Sequence, residues 1–453
     1  MPLVISRRRF LSLGAVSVAA IVVPACSANP PYTGGPGATS SAGSNDSASS
    51  TAAPPLSSAP SSSSVPVGQT GFESPSAAVI GAARKLVIVQ LNGGNDALNT
   101  LVPADGRYHD LRPTLGLGDD QVIALPGADE WRLHAALAPL TSMWAAGSLA
   151  MIPGIGFENP DRSHFVAMDR WWRADDHARP GWLGRLLDSF PQDPDPLMAT
   201  SLAGSAPLLI GARRQGTAIG SAESFRFSAL GSGQVAAFGV SPEFAEQPGS
   251  AEITLSMLAG IAYQKAALAV DGFASVVVKS PVEPADADPA AAAAAGAASI
   301  TDGLLLAAQL LTGNPASQIV VVSASGFDTH SNQAPVHQAL LADLAVGLQG
   351  FFAAIDQAGM SDDVLLVTTS EFGRRVAENG SGGCDHGAAG VSFAMGAAVR
   401  GGVYGSFDLG NLLDGDLRPS HDPRALYTAC LDWLGADVDA VLDRRYDDLA
   451  IFR

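Results

Sequence analysis

The sequence predicts an α/β fold, a mostly parallel central sheet with helices on both faces. Three observations lead there. Short continuous apolar runs recur along the chain, beginning with Lys85-Leu86-Val87-Ile88-Val89-Gln90-Leu91. Such runs suit strands buried on both faces, as in a parallel sheet. The runs alternate with longer helical stretches, the order expected of strand–helix–strand units. Polar residues able to bind a ligand stand immediately after several runs, where open α/β sheets collect their ligands.

The first strand is bounded by Gly93-Gly94, which allow a tight turn. A helix is expected over residues 137–146, with Pro139 in its first turn, followed by a strand over 148–152. Helix 300–311 precedes strand 318–323, and helix 336–358 precedes strand 363–369. The stretch 424–434 reads as a covering helix capped by Asp422-Pro423. Residues 175–300 are less regular and include the alanine run 290–295; they read as an insertion or cap on the sheet.

The chain begins differently. Arg7-Arg8-Arg9 precede an apolar run from Phe10 to Val23, shorter than the ~20 residues a bilayer span needs, so residues 1–26 read as an export signal. Ser6-Arg7-Arg8-Arg9-Phe10-Leu11 resembles the twin-arginine consensus, which implies the twin-arginine translocase as partner during export and an extracytoplasmic location, secreted, periplasmic or held at the cell envelope. Ala25-Cys26 resembles a lipoprotein cleavage box; either Cys26 is lipidated and tethers the chain to a membrane, or the signal is cut near Ala25 or Ala28 without a lipid. Residues 27–84 are rich in Ser, Pro, Ala and Gly and lack any helical or strand period, so they read as a disordered tether. The folded α/β domain is expected over 85–453.

The chain carries a net charge of −18, and −21 once the three leader arginines are removed. A surface so acidic repels phosphate backbones and argues against a nucleic-acid partner. Besides Cys26 there are only Cys384 and Cys430, which either pair in an oxidising compartment or stand as separate buried thiols; no zinc-type cysteine spacing is present. No phosphate loop, dinucleotide fingerprint or haem motif occurs.

The chemistry-bearing residues fall after the strands. Asn92-Gly93-Gly94-Asn95-Asp96 follows the first. Asp161-Arg162-Ser163-His164-Phe165 stands at an expected helix start. A hydroxyl there meets unpaired N–H groups and the positive end of the dipole; Asp161 or Ser163 is otherwise a simple N-cap. Asp328 and His330 lie two apart, so an extended backbone aims both to one side, and carboxylate plus imidazole is a ligand pair for Zn²⁺, Mn²⁺ or Fe, or else a hydrogen-bonded turn. Ser370-Glu371-Phe372-Gly373-Arg374 ends the last strand, and the pliable loop Gly380-Ser381-Gly382-Gly383 delivers Cys384-Asp385-His386. His109, His134, His177, His337 and His421 have no such context and read as structural or exposed.

Taken in order, the leader, Gly93-Gly94-Asn95-Asp96-Ala97-Leu98-Asn99-Thr100, Arg162-Ser163-His164-Phe165, Gly326-Phe327-Asp328-Thr329-His330, Ser370-Glu371-Phe372-Gly373-Arg374 and Asn379 to Gly387 resemble the DUF1501 family of uncharacterised exported proteins. That family is similar in turn to the alkaline phosphatase and sulfatase superfamily. The resemblance implies an alkaline-phosphatase-like sheet and places Ser163 as nucleophile. It makes Asp328, His330, Glu371 and His386 metal ligands, with Asp96 and Asp385 beside them, and Arg162 or Arg374 binders of a small anionic ester. Three departures matter. Asn92 replaces the first-strand Asp, the Asp-x-x-x-His spacing shortens to Asp328-x-His330, and Glu371-Phe372 replaces an Asp-His pair. A two-metal site, with ions ~3.5–4 Å apart, is therefore not expected; one divalent metal, Zn or Mn, or none fits what remains. Two functions follow, a metal-dependent hydrolase of phosphate or sulfate esters, or a non-catalytic binding or accessory protein that kept the fold with a degenerate site.

Overall fold

The computed structural model describes residues 83–175, 179–202, 206–219 and 299–453, with 268, 269 and 276. The expected export signal, the tether up to residue 82, Cys26, His177 and most of the stretch 220–298 lie outside the described residues.

In chain order the strands are β1 (Lys85–Leu91), β2 (Leu101–Pro103), β3 (Val122–Ala124), β4 (Trp131–His134), β5 (Leu149–Ile155), β6 (Ala199–Ser201), β7 (Thr217–Ala218), β8 (Ile319–Ala324), β9 (Val364–Thr369), β10 (Gly390–Met395) and β11 (Gly402–Val403). Eight of them form one sheet in the order β11-β5-β10-β9-β1-β8-β6-β7, and β2, β4 and β3 form a small antiparallel sheet. β1 lies between β8 and β9, parallel to both. β10 alone runs against its neighbours β9 and β5. The sheet is thus mostly parallel, as the apolar runs predict.

Alternation along β1 builds both layers. Val87, Val89 and Leu91 enter one core with Leu304, Leu341, Leu348 and Phe351. Leu86 and Ile88 enter the other with Trp182, Leu186, Leu426 and Leu431. Helices Ile300–Gly313 and Gln333–Gln357 therefore cover one face, and Trp182–Ser189 with Pro423–Leu434 cover the other. Helix Gln333–Gln357 is long and apolar enough to cross a membrane, yet its Leu341, Leu344, Leu348, Phe351 and Ile355 lie in the core.

Several boundaries differ from those expected. The helix foreseen from residue 336 starts at Gln333, because Pro335 occupies the first turn, where a missing N–H costs nothing. The helix foreseen over 137–146 is split into a 3₁₀ segment, Ala135–Leu140, and a short α-helix, Thr141–Ala145, because Pro139 lies inside the run rather than at its start. The strand foreseen over 148–152 continues to Ile155. Part of the supposed insertion belongs to the main layer, since β6 pairs with β8 and β7 with β6. Asp422 does cap helix Pro423–Leu434, accepting the Arg424 N–H at 2.9 Å, although a further short helix, Val438–Leu442, follows it. Cys384 and Cys430 are separate buried thiols.

One buried polar cluster joins the two sheets to the long helix. His337 Nε2 donates to Asn95 Oδ1 at 2.9 Å. Burial pushes the His337 pKa down to about 4, against the pull of Asp96, and burial lowers that of His134 as well. His337 is thus neutral in the fold and takes up a proton on unfolding below its ordinary pKa near 6.5. Its contribution is complete above that pH, is lost as pH falls towards 4, and amounts to about 3 kcal/mol. Urea unfolding between pH 7.5 and 4 is expected to show this loss. In His337→Gln the slope of stability against pH over that window should fall by about one proton, or ~1.4 kcal/mol per pH unit; an unchanged slope would contradict the assignment.

Candidate metal centre

Four connections at the carboxyl ends of the sheet meet at one place. They follow β1, β5, β8 and β9. The β1 turn approaches the β8 connection so closely that a side chain on Gly93, which has φ +121°, would collide with the backbone of Asp328. Ser370 ties β9 to β1, donating its hydroxyl to Leu91 O at 2.7 Å and accepting the Asn95 N–H at 2.8 Å.

Arg374 holds three of these connections together. Its guanidinium is fully buried and donates to Gly94 O at 2.8 Å, Cys384 O at 2.9 Å, Phe327 O at 3.0 Å, Asp328 Oδ1 at 2.6 Å and also Gly93 O. Burial raises the Asp328 pKa, but the hydrogen bond and the positive charge of Arg374 outweigh it and hold the carboxyl at about 2. Asp328 is therefore a carboxylate at any ordinary pH.

Three imidazoles surround Asp328. His164 Nδ1 lies 2.7 Å from Glu371 Oε1, an oxygen that also accepts the Gly93 N–H at 2.8 Å. His386 Nδ1 lies 2.7 Å from the carbonyl oxygen of Arg162. His330 Nδ1 lies 3.2 Å from Asp385 Oδ1, which also accepts from Asn379 at 3.1 Å. Each Nδ1 thus faces an acceptor and carries a hydrogen, and with the hydrogen there the Nε2 lone pair is the atom each ring can offer a cation. Those lone pairs converge. His164 Nε2 is 3.4 Å from Asp328 Oδ2. His386 Nε2 and His330 Nε2 are each 3.1 Å from Asp328 Oδ1. The last two nitrogens are 2.8 Å apart. Two facing lone pairs at that distance repel unless a proton or a cation lies between them. His164 Nε2 is buried without a hydrogen-bond partner, an orphaned acceptor aimed at the carboxylate. One ligand atom from each of His164, Asp328 and His386 lies within 4.8 Å of the others. The donors fit a divalent ion, and the Nδ1 acceptors supply the outer hydrogen bonds that orient ligating histidines.

The structure brings Asp328, His330, Glu371, Asp385 and His386 together, but in different positions from those the motifs imply. Glu371 and Asp385 stand behind histidines. His164, not singled out from the sequence, stands in front. Asp96 belongs elsewhere: it caps helix Ala97–Thr100, accepting from Leu98 N at 3.2 Å and Asn99 N at 3.3 Å, and pairs with buried Arg112 at 2.6 Å. Arg162 donates through Nε to buried Asp416 at 3.0 Å. Arg374 is spent on backbone carbonyls and on Asp328. Ser163 precedes helix His164–Arg173, but its hydroxyl makes no cap bond; Asp161 Oδ1 instead accepts the Ser163 N–H at 2.7 Å. The signal for His164 was its place at the first turn of that helix, next to the residue read as a nucleophile.

Fold and site together define an α/β protein with a nitrogen-rich group of side chains that could hold a cation at the carboxyl ends of its sheet. A family profile described as "Protein of unknown function (DUF1501)" matches residues 146–448, more than half of the chain, and the chain belongs to that family. In structure it is similar to phosphonate monoester hydrolase SpPMH from Silicibacter pomeroyi, with TM-score 0.36, 12% identity, and 80% of this chain and 75% of that one covered. It is similar to lipoteichoic acid synthase LtaP from Listeria monocytogenes, with TM-score 0.36, 10% identity, and 79% and 74% covered. It is also similar to a protein in the alkaline phosphatase superfamily from Vibrio parahaemolyticus, with TM-score 0.33, 11% identity, and 82% and 70% covered. Likeness at this level leaves the chemistry to be argued from the side chains. No curated protein matches the chain.

If Arg374 is the tie between strand ends, Arg374→Met should cost about 3–5 kcal/mol in urea unfolding, since it strands buried carbonyls and leaves Asp328 unpaired. Arg374→Lys should recover only part, because one ammonium cannot reach the same acceptors. A near-neutral Arg374→Met would remove this role.

Proposed function

We propose that this protein is an exported, metal-dependent hydrolase of phosphate or sulfate esters. The observation that carries the reading is the convergence of histidine nitrogens on the Asp328 carboxylate, with Ser163, whose hydroxyl makes no cap bond, next in sequence to His164. A divalent ion bound there would polarise an ester oxygen as a Lewis acid. The chain's own groups would do the rest. Ser163 Oγ would attack phosphorus or sulfur, forming the new bond as the alcohol leaves with the hydroxyl proton, and water would later release the anion from Ser163. The unpaired N–H groups at the start of helix His164–Arg173 favour the charge that develops beside them.

The engagement of both arginines supports a second reading. Arg374 is wholly committed inside the fold, and Arg162 is paired with Asp416. A site without a free guanidinium for the ester suits a non-catalytic cation-binding or accessory protein.

Protein purified without chelator is expected to contain a divalent metal by elemental analysis and to hydrolyse 4-nitrophenyl phosphate or sulfate. Ser163→Ala should lower the rate by roughly a thousandfold or more while keeping the metal. Metal with no hydrolysis of either ester would favour the second reading, and full activity in Ser163→Ala would remove the serine. Export is tested separately. Replacing Arg7 and Arg8 with lysine should leave the precursor in the cytoplasm, and unimpaired export of that variant would rule out the twin-arginine route.

A further inference from the structure

We infer that the centre holds a single divalent ion through His164, His330, His386 and Asp328, with Glu371 acting as the positioning residue of His164 and not as a ligand. The inference rests on the cation-binding half of the proposed function and not on hydrolysis. His330 Nε2 and His386 Nε2 lie 2.8 Å apart and each 3.1 Å from Asp328 Oδ1, and His164 Nε2 lies 3.4 Å from Asp328 Oδ2, separations of the size expected between ligands that share one ion with bonds of ~2.0–2.1 Å. Three imidazole nitrogens and one carboxylate form a set that suits Zn²⁺ or Co²⁺, whereas Mg²⁺ and Ca²⁺ seek oxygen. Glu371 cannot readily join it, because the oxygen that faces the site already accepts from Gly93 N and His164 Nδ1. That geometry makes Glu371 the carboxylate of a carboxylate–histidine–metal relay.

A second ion lacks ligands. Asn92 is neutral. Asp96 is locked to Arg112, and Asp385 is occupied by His330 and Asn379. Among the described residues no second group of metal-capable side chains occurs.

The test uses the full chain stripped with chelator and titrated with Co²⁺, read by visible absorption. One equivalent should complete the signal, and millimolar Mg²⁺ or Ca²⁺ should leave it unchanged. Glu371→Gln keeps an acceptor for both N–H groups and should bind Co²⁺ about 10–100-fold more weakly. His164→Gln should weaken binding further than Glu371→Gln does, and His164→Ala, smaller than the native ring, is the second variant if His164→Gln fails to fold by circular dichroism. A two-equivalent endpoint, displacement by Mg²⁺, no Co²⁺ signal, or a His164 variant that binds better than Glu371→Gln would each overturn the assignment. One Co²⁺ bound through His164 without ester hydrolysis would uphold it and end the hydrolase reading. Hydrolysis in metal-free protein that takes up no Co²⁺ would overturn the assignment and would keep the esterase activity while removing its metal dependence.

Discussion

The buried guanidinium of Arg374 is the constraint on which the centre depends. Strands of a twisted parallel sheet diverge beyond their last ladder bonds, so the connections leaving them need a tie of their own. Arg374 supplies it with acceptors from the β1 turn, the β8 connection and the 384 segment. A buried charge is costly unless its donors are satisfied, and a planar fork with five N–H groups meets several acceptors at once where an ammonium cannot. The same contact fixes Asp328, around which the imidazoles stand. An arginine that would be read as a binder of substrate is therefore a fastener of the site.

A second regularity lies one layer out. Each of the three imidazoles has its Nδ1 opposite its own acceptor: the carboxylate of Glu371 for His164, the carboxylate of Asp385 for His330, and the Arg162 carbonyl for His386. Folding fixes ring orientation and tautomer in advance, so a cation would not have to meet that ordering cost on binding. The orphaned Nε2 of His164 is the local expense of this arrangement. Such an unpaired acceptor persists where the fold over-determines it or where a ligand completes it.

Much of this was legible in the sequence. The apolar runs that became β1, β8 and β9 were visible because strands buried on both faces leave no polar positions to blur them. The topology that buries the strands also gathers the residues that follow them at one end of the sheet, where Asp328, His330, Glu371, Asp385 and His386 come together and Asp96 does not. The partners of the individual side chains are what the sequence does not show. Glu371 and His164 are 207 residues apart, and a carboxylate that orients a histidine looks in sequence like one that binds metal. Asp96 was separable in principle: an Asp directly before Ala97-Leu98 carries an N-cap signature. The small sheet of β2, β3 and β4 was not visible, since strands of three or four residues are too short to show a period. Pro139 misled by its position, at the centre of the run and not at its first turn.

The one strand that breaks the parallel pattern explains how so many groups reach a single point. A parallel crossover from β9 would have carried the chain to the far end of the sheet before the next strand began. Because β10 runs back beside β9, residues 370–389 leave and re-enter the sheet at the same end. That segment is itself laddered, with Gly373 N to Ala388 O at 3.0 Å, Gly387 N to Gly373 O at 2.9 Å and Arg375 N to Asp385 O at 2.9 Å. Arg374 and His386 face each other across this ladder. Glu371, Arg374, Asp385 and His386 thus arrive on one closed ribbon, and only Asp328, His330 and His164 must be supplied from other strands. Closing a loop of this length adds little entropy cost, and contacts spanning 46 to 224 residues with the connections after β8 and β5 complete the centre. A departure at β10 that looks like an irregularity of the sheet is the feature that concentrates the chemistry.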